Sequence, residues 1–153
     1  MYRLTVISDI HGDTGRLERL VPEINASDMV VFCGDGASDY MNVRGRITVP
    51  AVCVRGNNDF NTFLDDTVCV DICGVRTLVT HGHRYGVKRG IGVLQEAAIN
   101  KNCDLVFFGH THLFCDGEVG GVRMINPGAL YSGSYAAVEF DGGEIVCTRH
   151  FIR

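Results

Sequence analysis

Phe107–Phe114 reads FFGHTHLF. An apolar run stops at Gly109, and two histidines follow it, His110 and His112, one residue apart. Imidazole is polar and titrates near neutral pH, so two of them at the end of a buried strand need a reason. A polar loop is the plain one. A metal site is the sharper one, because residues i and i+2 of an extended segment point to the same side. The other apolar runs decide between them.

Four more runs end in the same way. Leu4–Ile7 leads to Ser8, Asp9, Ile10, His11 and Gly12; Met29–Cys33 leads to Gly34, Asp35 and Gly36. Ala51–Val54 leads to Arg55, Gly56, Asn57, Asn58 and Asp59; Thr77–Val79 leads to Thr80, His81, Gly82 and His83. Short runs rich in Val, Ile and Phe suit strands buried on both faces. In α/β sheets, ligands gather beyond the carboxyl ends of strands. The repeated ending therefore brings Asp9, His11, Asp35, Asn57, His81, His110 and His112 to one edge.

Between the runs lie helical signals. Asp13 and Thr14 can cap a helix whose apolar face is Leu17, Leu20, Val21 and Ile24, with Pro22 arguing against a regular last turn. Val87–Asn100 places Ile91, Leu94, Ala98 and Ile99 on one face. Alternating strand and helix implies parallel pairing with helical crossovers. The C-terminal third differs: Gly120-Gly121 and Gly142-Gly143 separate alternating segments as hairpin turns do, and CVDICGVRTLV turns near Gly74. The reading is an α/β chain with a parallel-type half and an antiparallel half.

A length of 153 residues fits one domain, 1–153, and 46% hydrophobic residues supply a core. The net charge of −4 argues against a nonspecific nucleic-acid binder. No stretch reads as a signal peptide or membrane span, so cytoplasmic residence is the expectation. The seven cysteines agree: Cys33, Cys53, Cys103 and Cys147 lie within apolar runs, no C-x-x-C pair occurs, and Cys69 and Cys73 read as packing residues.

The edge residues comprise four His, two Asp and one Asn, with no thiolate. Seven ligands exceed the four of a structural zinc site and suit two ions sharing one carboxylate. Mixed imidazole and oxygen donors favour Mn, Fe, Zn, Co or Ni over Ca or Mg. Two such ions outweigh two carboxylates in charge. They would attract phosphate and lower the pKa of a bridging water.

The ordered segments SDIHGD, CGDGASD, VRGNND, THGH, FGHTH and INPG, from Ser8 to Gly128, resemble the motifs of calcineurin-like metallophosphoesterases. The resemblance is to the small, single-domain phosphodiesterase branch of bacteria and archaea. It implies a four-layer α-β-β-α sandwich of two mixed sheets. It also implies that Asp9, His11, Asp35 and His112 hold one ion, that Asp35 bridges, and that Asn57, His81 and His110 complete the second. The expected activity is metal-dependent phosphodiester hydrolysis by a bridging hydroxide, with two divalent transition-metal ions as cofactor, Mn foremost. A protein-binding scaffold on the same fold, as in a retromer coat subunit, and a phosphomonoesterase or pyrophosphatase are the alternatives. A phosphate ester is the expected partner, nucleic acid only as substrate, and membrane none; self-association stays open.

Around the ligands, Asn58 stands where many family members carry a histidine. Asn58 and His83 are the candidate catalytic residues, and Asn58 and Arg84 the candidate phosphate contacts. Asp39 and Asp59 orient ligands or serve turns. Asn126-Pro127-Gly128 reads as a loop buttress, His150 as structural, and Phe107, Phe108 and Phe114 as core.

Overall fold

Alternate residues of each apolar run face different cores in the computed structural model, which describes residues 1–153. In β1 (Tyr2–Ile7), Leu4 and Val6 enter one core and Ile7 another. In β2 (Met29–Phe32), Val31 joins the first, and Val30 and Phe32 the second. In β6 (Leu105–Phe107), Leu105 and Phe107 enter the first core, and Val106 a third. A strand alternates sides with period two, so a run apolar throughout is a run buried on both faces.

The first core lies between two five-stranded sheets. One has the order β10-β9-β1-β2-β3, with β3 at Ala51–Cys53, β9 at Ser134–Asp141 and β10 at Glu144–Phe151. The other has the order β4-β5-β6-β8-β7, with β4 at Thr67–Ile72, β5 at Val75–Thr80, β7 at Cys115–Val119 and β8 at Val122–Asn126. Strands β1, β2 and β3 pair in parallel, as do β5, β6 and β8; β9, β10, β4 and β7 are attached antiparallel. Both sheets are therefore mixed. The expected division into a parallel half and an antiparallel half is corrected, because the C-terminal hairpin returns to pair with β1 in the first sheet.

Helices cover the outer faces and complete four layers. Helix α1 (Thr14–Asn25) buries Leu17, Leu20, Val21 and Ile24, and the Asp13 carboxylate accepts the Arg16 N–H at 3.1 Å as its cap. The helix runs through Pro22 rather than breaking there. Pro22 and Glu18 are both exposed, so the carbonyl that loses its N–H partner can meet water. Helix α2 (Ala37–Val43), absent from the sequence reading, buries Tyr40, whose ring stacks on Phe32 at 5.4 Å. Helix α3 (Gly92–Asn100) places Leu94 and Ala98 against the second sheet.

Helix α3 begins five residues later than expected. Gly86 (φ 60°) and Gly90 (φ 146°) take conformations that no helix allows, and Ile99 is exposed. The three expected hairpins form. Their turns, Cys73-Gly74, Gly120-Gly121 and Gly142-Gly143, have positive φ at both residues, as two-residue turns matching strand twist require. Cys73 is consequently exposed at a turn tip, not a packing residue. Phe107 and Phe108 are buried, and Phe114 packs against the inter-sheet core. No helix is long and apolar enough to cross a membrane.

Candidate metal centre

The parallel strands of both sheets end at one edge, and the loops that follow are stitched together there. The Asp9 N–H donates to the Gly34 carbonyl at 2.9 Å, and the Gly109 N–H to the His81 carbonyl at 3.0 Å. A bond across the two sheets joins them: the His110 N–H donates to Oδ2 of Asp9 at 3.0 Å. Ser8 donates to the same oxygen at 2.7 Å. Two close approaches need glycine. A side chain at Gly56 would collide with the Asp35 carboxylate, and one at Gly109 with Ser8.

The backbone is strained where the candidate ligands sit. Asp9, His11, Asp35, His110 and His112 have φ of 55°, 47°, 62°, 70° and 64°. Each left-handed non-glycine residue costs about 1–3 kcal/mol, and such residues persist only where the surroundings over-determine them. Here the strain aims five side chains at one place.

Two groups result: Asp9, His11 and His112, and Asp35, His81 and His110, each with ligand atoms within 4.8 Å of one another. In the first, Oδ1 of Asp9 is 3.2 Å from Nε2 of His11 and 3.2 Å from Nε2 of His112. The two imidazole nitrogens are 3.3 Å apart. In the second, Oδ2 of Asp35 is 3.2 Å from Nε2 of His81, which lies 3.2 Å from Nδ1 of His110. The groups adjoin, because the same Asp35 oxygen is 3.6 Å from Nε2 of His11. Ring nitrogens turned toward each other and toward a carboxylate fit a shared cation. The donor set suits a transition metal.

The far sides of two imidazoles are tied down, which fixes the nitrogen each presents. His81 donates from Nδ1 to the Cys33 carbonyl at 2.8 Å. Nδ1 of His112 faces the Tyr131 hydroxyl at 3.2 Å. Burial alone would raise the Asp35 carboxyl. Hydrogen bonding to His81, its charge and two bonds from Asn58 outweigh that and hold Asp35 well below the usual carboxylate range. Burial opposes protonation of His81, but Asp35, Asp9 and the Cys33 carbonyl raise it above the ordinary imidazole value. Burial, His81 and the Lys88 ammonium push His110 down to about 4. His83 is lowered by burial and His81.

The structure thus brings six of the seven expected ligands together. The seventh, Asn57, is exposed on the adjoining loop. Asn58 is directed to Asp35, bonding both its oxygens. His83 borders the second group, with its ring 5.5 Å from His81 and 6.2 Å from His110. Its Nδ1 is out of water and unpartnered. Arg84 points elsewhere: it pairs with Asp66 at 3.2 Å and is 61% exposed.

Asp59 and Asp39 prove to be clamps. Asp59 accepts the N–H groups of Asp35, Gly36, Ala37 and Gly56. Asp39 accepts from the Gly12 N–H and the Thr14 hydroxyl. Asn126 buttresses the histidine loop, donating to the Gly109 carbonyl and the Thr111 hydroxyl. His150 lies in β10, stacked on Tyr135. Sequence reasoning missed Tyr131 and Arg16. Arg16 of α1 holds the carbonyls of Leu130 and Tyr131, fixing the turn that carries the tyrosine. Neither shows a local signal, since both act across the fold.

A family model described as calcineurin-like phosphoesterase superfamily domain matches residues 2–142. The chain is 31% identical to a probable metallophosphoesterase, YsnB of Bacillus subtilis, across 82% of this chain and 73% of that one. It is 26% identical to Phosphodiesterase MJ0936 of Methanocaldococcus jannaschii across 82% of each. Among solved structures, Vps29 of Entamoeba histolytica complexed with zinc superposes with a TM-score of 0.76 at 21% identity, over 97% of this chain and 98% of that one. That likeness shows the fold alone.

Proposed function

This chain belongs to the calcineurin-like phosphoesterase superfamily, and on that footing we propose that it is a phosphodiesterase working with two divalent transition-metal ions. The observation that carries the reading is the position of Asp35. One carboxylate oxygen lies 3.2 Å from His81 and 3.6 Å from His11, so a single residue reaches both candidate groups. Asp9, His11, Asp35 and His112 would hold one ion, and Asp35, Asn57, His81 and His110 the other. Manganese is the first choice; Ni, Co, Fe and Zn suit the same donors.

When bound, such ions neutralise phosphate charge and make water a competent nucleophile near neutral pH. The chain's own part is to hold that arrangement. Asp9 and Asp35 are buried carboxylates that face the imidazoles and accept further hydrogen bonds, Asp9 from Ser8 and the His110 N–H and Asp35 from Asn58. The Cys33 carbonyl and the Tyr131 hydroxyl orient two of the imidazoles. Asn58 keeps the Asp35 carboxylate in one plane, so it acts on the reaction through Asp35. His83, beside the second group, is the side chain assigned to a phosphate or leaving-group oxygen. The name of the archaeal relative supports a diester over a monoester.

The test is hydrolysis of phosphate monoesters, diesters and cyclic nucleotides by chelator-stripped protein refilled with Mn, Ni, Co, Zn or Mg. Metal-dependent diester cleavage is expected. Protein that binds metal yet hydrolyses nothing would overturn the enzyme reading in favour of a scaffold.

A further inference from the structure

Beside the two histidine groups lies an open groove of about 730 Å³. Ile91, Phe108, Leu113 and Phe114 supply apolar walls, and Lys88, Arg89 and Thr111 the polar part. Thr111 sits between His110 and His112 in the chain, so the groove adjoins the loop that carries those two histidines. Leu113, at the rim, is 71% exposed and adds apolar surface continuous with the groove walls.

Lys88 and Arg89 are the free cations of this groove. The ion pairs of the chain take their Lys or Arg partner from Arg3, Arg16, Arg46, Arg55, Arg84 and Arg123. Lys88 and Arg89 are both exposed, and Lys88 follows Val87, which packs beside Phe108 in the third core. Apolar walls with a few charged groups are the usual make-up of a small-molecule site, and the volume lies within the usual range of about 300–1,000 Å³.

We propose that this groove is the specificity subsite for the substrate's organic group: it takes a flat aromatic ester group while Lys88 faces the anionic phosphate. The inference rests on the phosphodiesterase reading and adds the substrate class. A small alkyl diester leaves the walls formed by Ile91, Leu113 and Phe114 wet. An aromatic diester covers them and gains by apolar burial.

Binding, not turnover, separates the possibilities. Diphenylphosphinate and dimethylphosphinate carry the same charge, and their P–C bonds resist hydrolysis. Titrated into zinc-loaded protein by NMR, the diphenyl anion should bind about tenfold tighter or more. Its shifts should map to Lys88, Ile91, Leu113 and Phe114. Lys88→Met should weaken both anions by about threefold, as expected for one partly solvated charge, and Leu113→Ser should narrow the margin between them. Equal affinities, shifts that spare the groove, or an unaffected Lys88→Met would overturn the subsite while leaving the phosphoesterase reading intact. Failure of zinc-loaded protein to bind either phosphinate would overturn both.

Discussion

Asn58 holds Asp35 twice: its backbone N–H donates to Oδ1 at 2.9 Å and its side-chain amide to Oδ2 at 3.0 Å. A residue that stands where a family histidine is common thus has a structural task here. Removing a hydrogen-bond partner of a metal-ligating carboxylate typically costs about 10- to 100-fold in metal affinity or activity. Asn58→Ala should fall in that range for manganese affinity by calorimetry. Asn58→Asp should be worse, since it sets a like charge beside Asp35. Wild-type affinity in both variants would show that the bonds to Asp35 do nothing for the centre.

Tyr131 offers a cleaner deletion. Tyr131→Phe removes only the oxygen facing Nδ1 of His112 and keeps the ring that packs edge-on against His11 and His112. The fold should be unaffected and metal affinity should drop by about tenfold. Restoration by no variant other than one carrying a hydroxyl or carbonyl oxygen at this place would identify the hydrogen bond as the cause.

Asp59 should matter for stability first. Its buried carboxylate accepts four backbone N–H groups from two loops. Asp59→Ala strands those donors and should cost about 3 kcal/mol in urea unfolding of metal-free protein. Asp59→Asn keeps one acceptor oxygen and should cost less. A change below about 0.5 kcal/mol for the alanine variant would place it among ordinary surface substitutions.

In metal-free protein, His110 titrates at about 4, while an unfolded imidazole titrates near 6.5. Between those values the unfolded chain holds a proton that the folded chain lacks. Stability therefore rises with pH in this window and falls on acidification. His81, whose pKa is raised, contributes with the opposite sign. His110→Asn should accordingly flatten the loss of stability between about pH 6.5 and 4. Urea midpoints across that range measure it; an unchanged acid limb would contradict the assignment.

The sequence showed most of what local chemistry encodes. Met29–Cys33 and Leu105–Phe108 are apolar at every position, and Leu4–Ile7 at all but Thr5, because both strand faces are buried, and their endings carry Asp35, His110 and Asp9. What it hid depends on distant chain. Helix α2 is seven residues long, too short for periodicity to show, and it is fixed by Asp59 from another loop. Helix α3 was overextended because Val87 and Ile91 fit a helical face, while Gly86 and Gly90 decided the backbone. Tyr131 reaches His112 only because β8 and β9 lie in different sheets and the turn between them crosses the edge. Asn57 and Asn58 are adjacent in a turn sequence, and only the fold shows which of them touches Asp35.

The most direct measurement is metal content by elemental analysis after loading with manganese, on wild type and Asp35→Asn. Asp35 reaches both groups, so the account predicts two ions per wild-type chain, and a correctly folded Asp35→Asn protein that loses both along with diester hydrolysis. Wild type that retains no manganese, or Asp35→Asn that keeps two ions and full turnover, would contradict it.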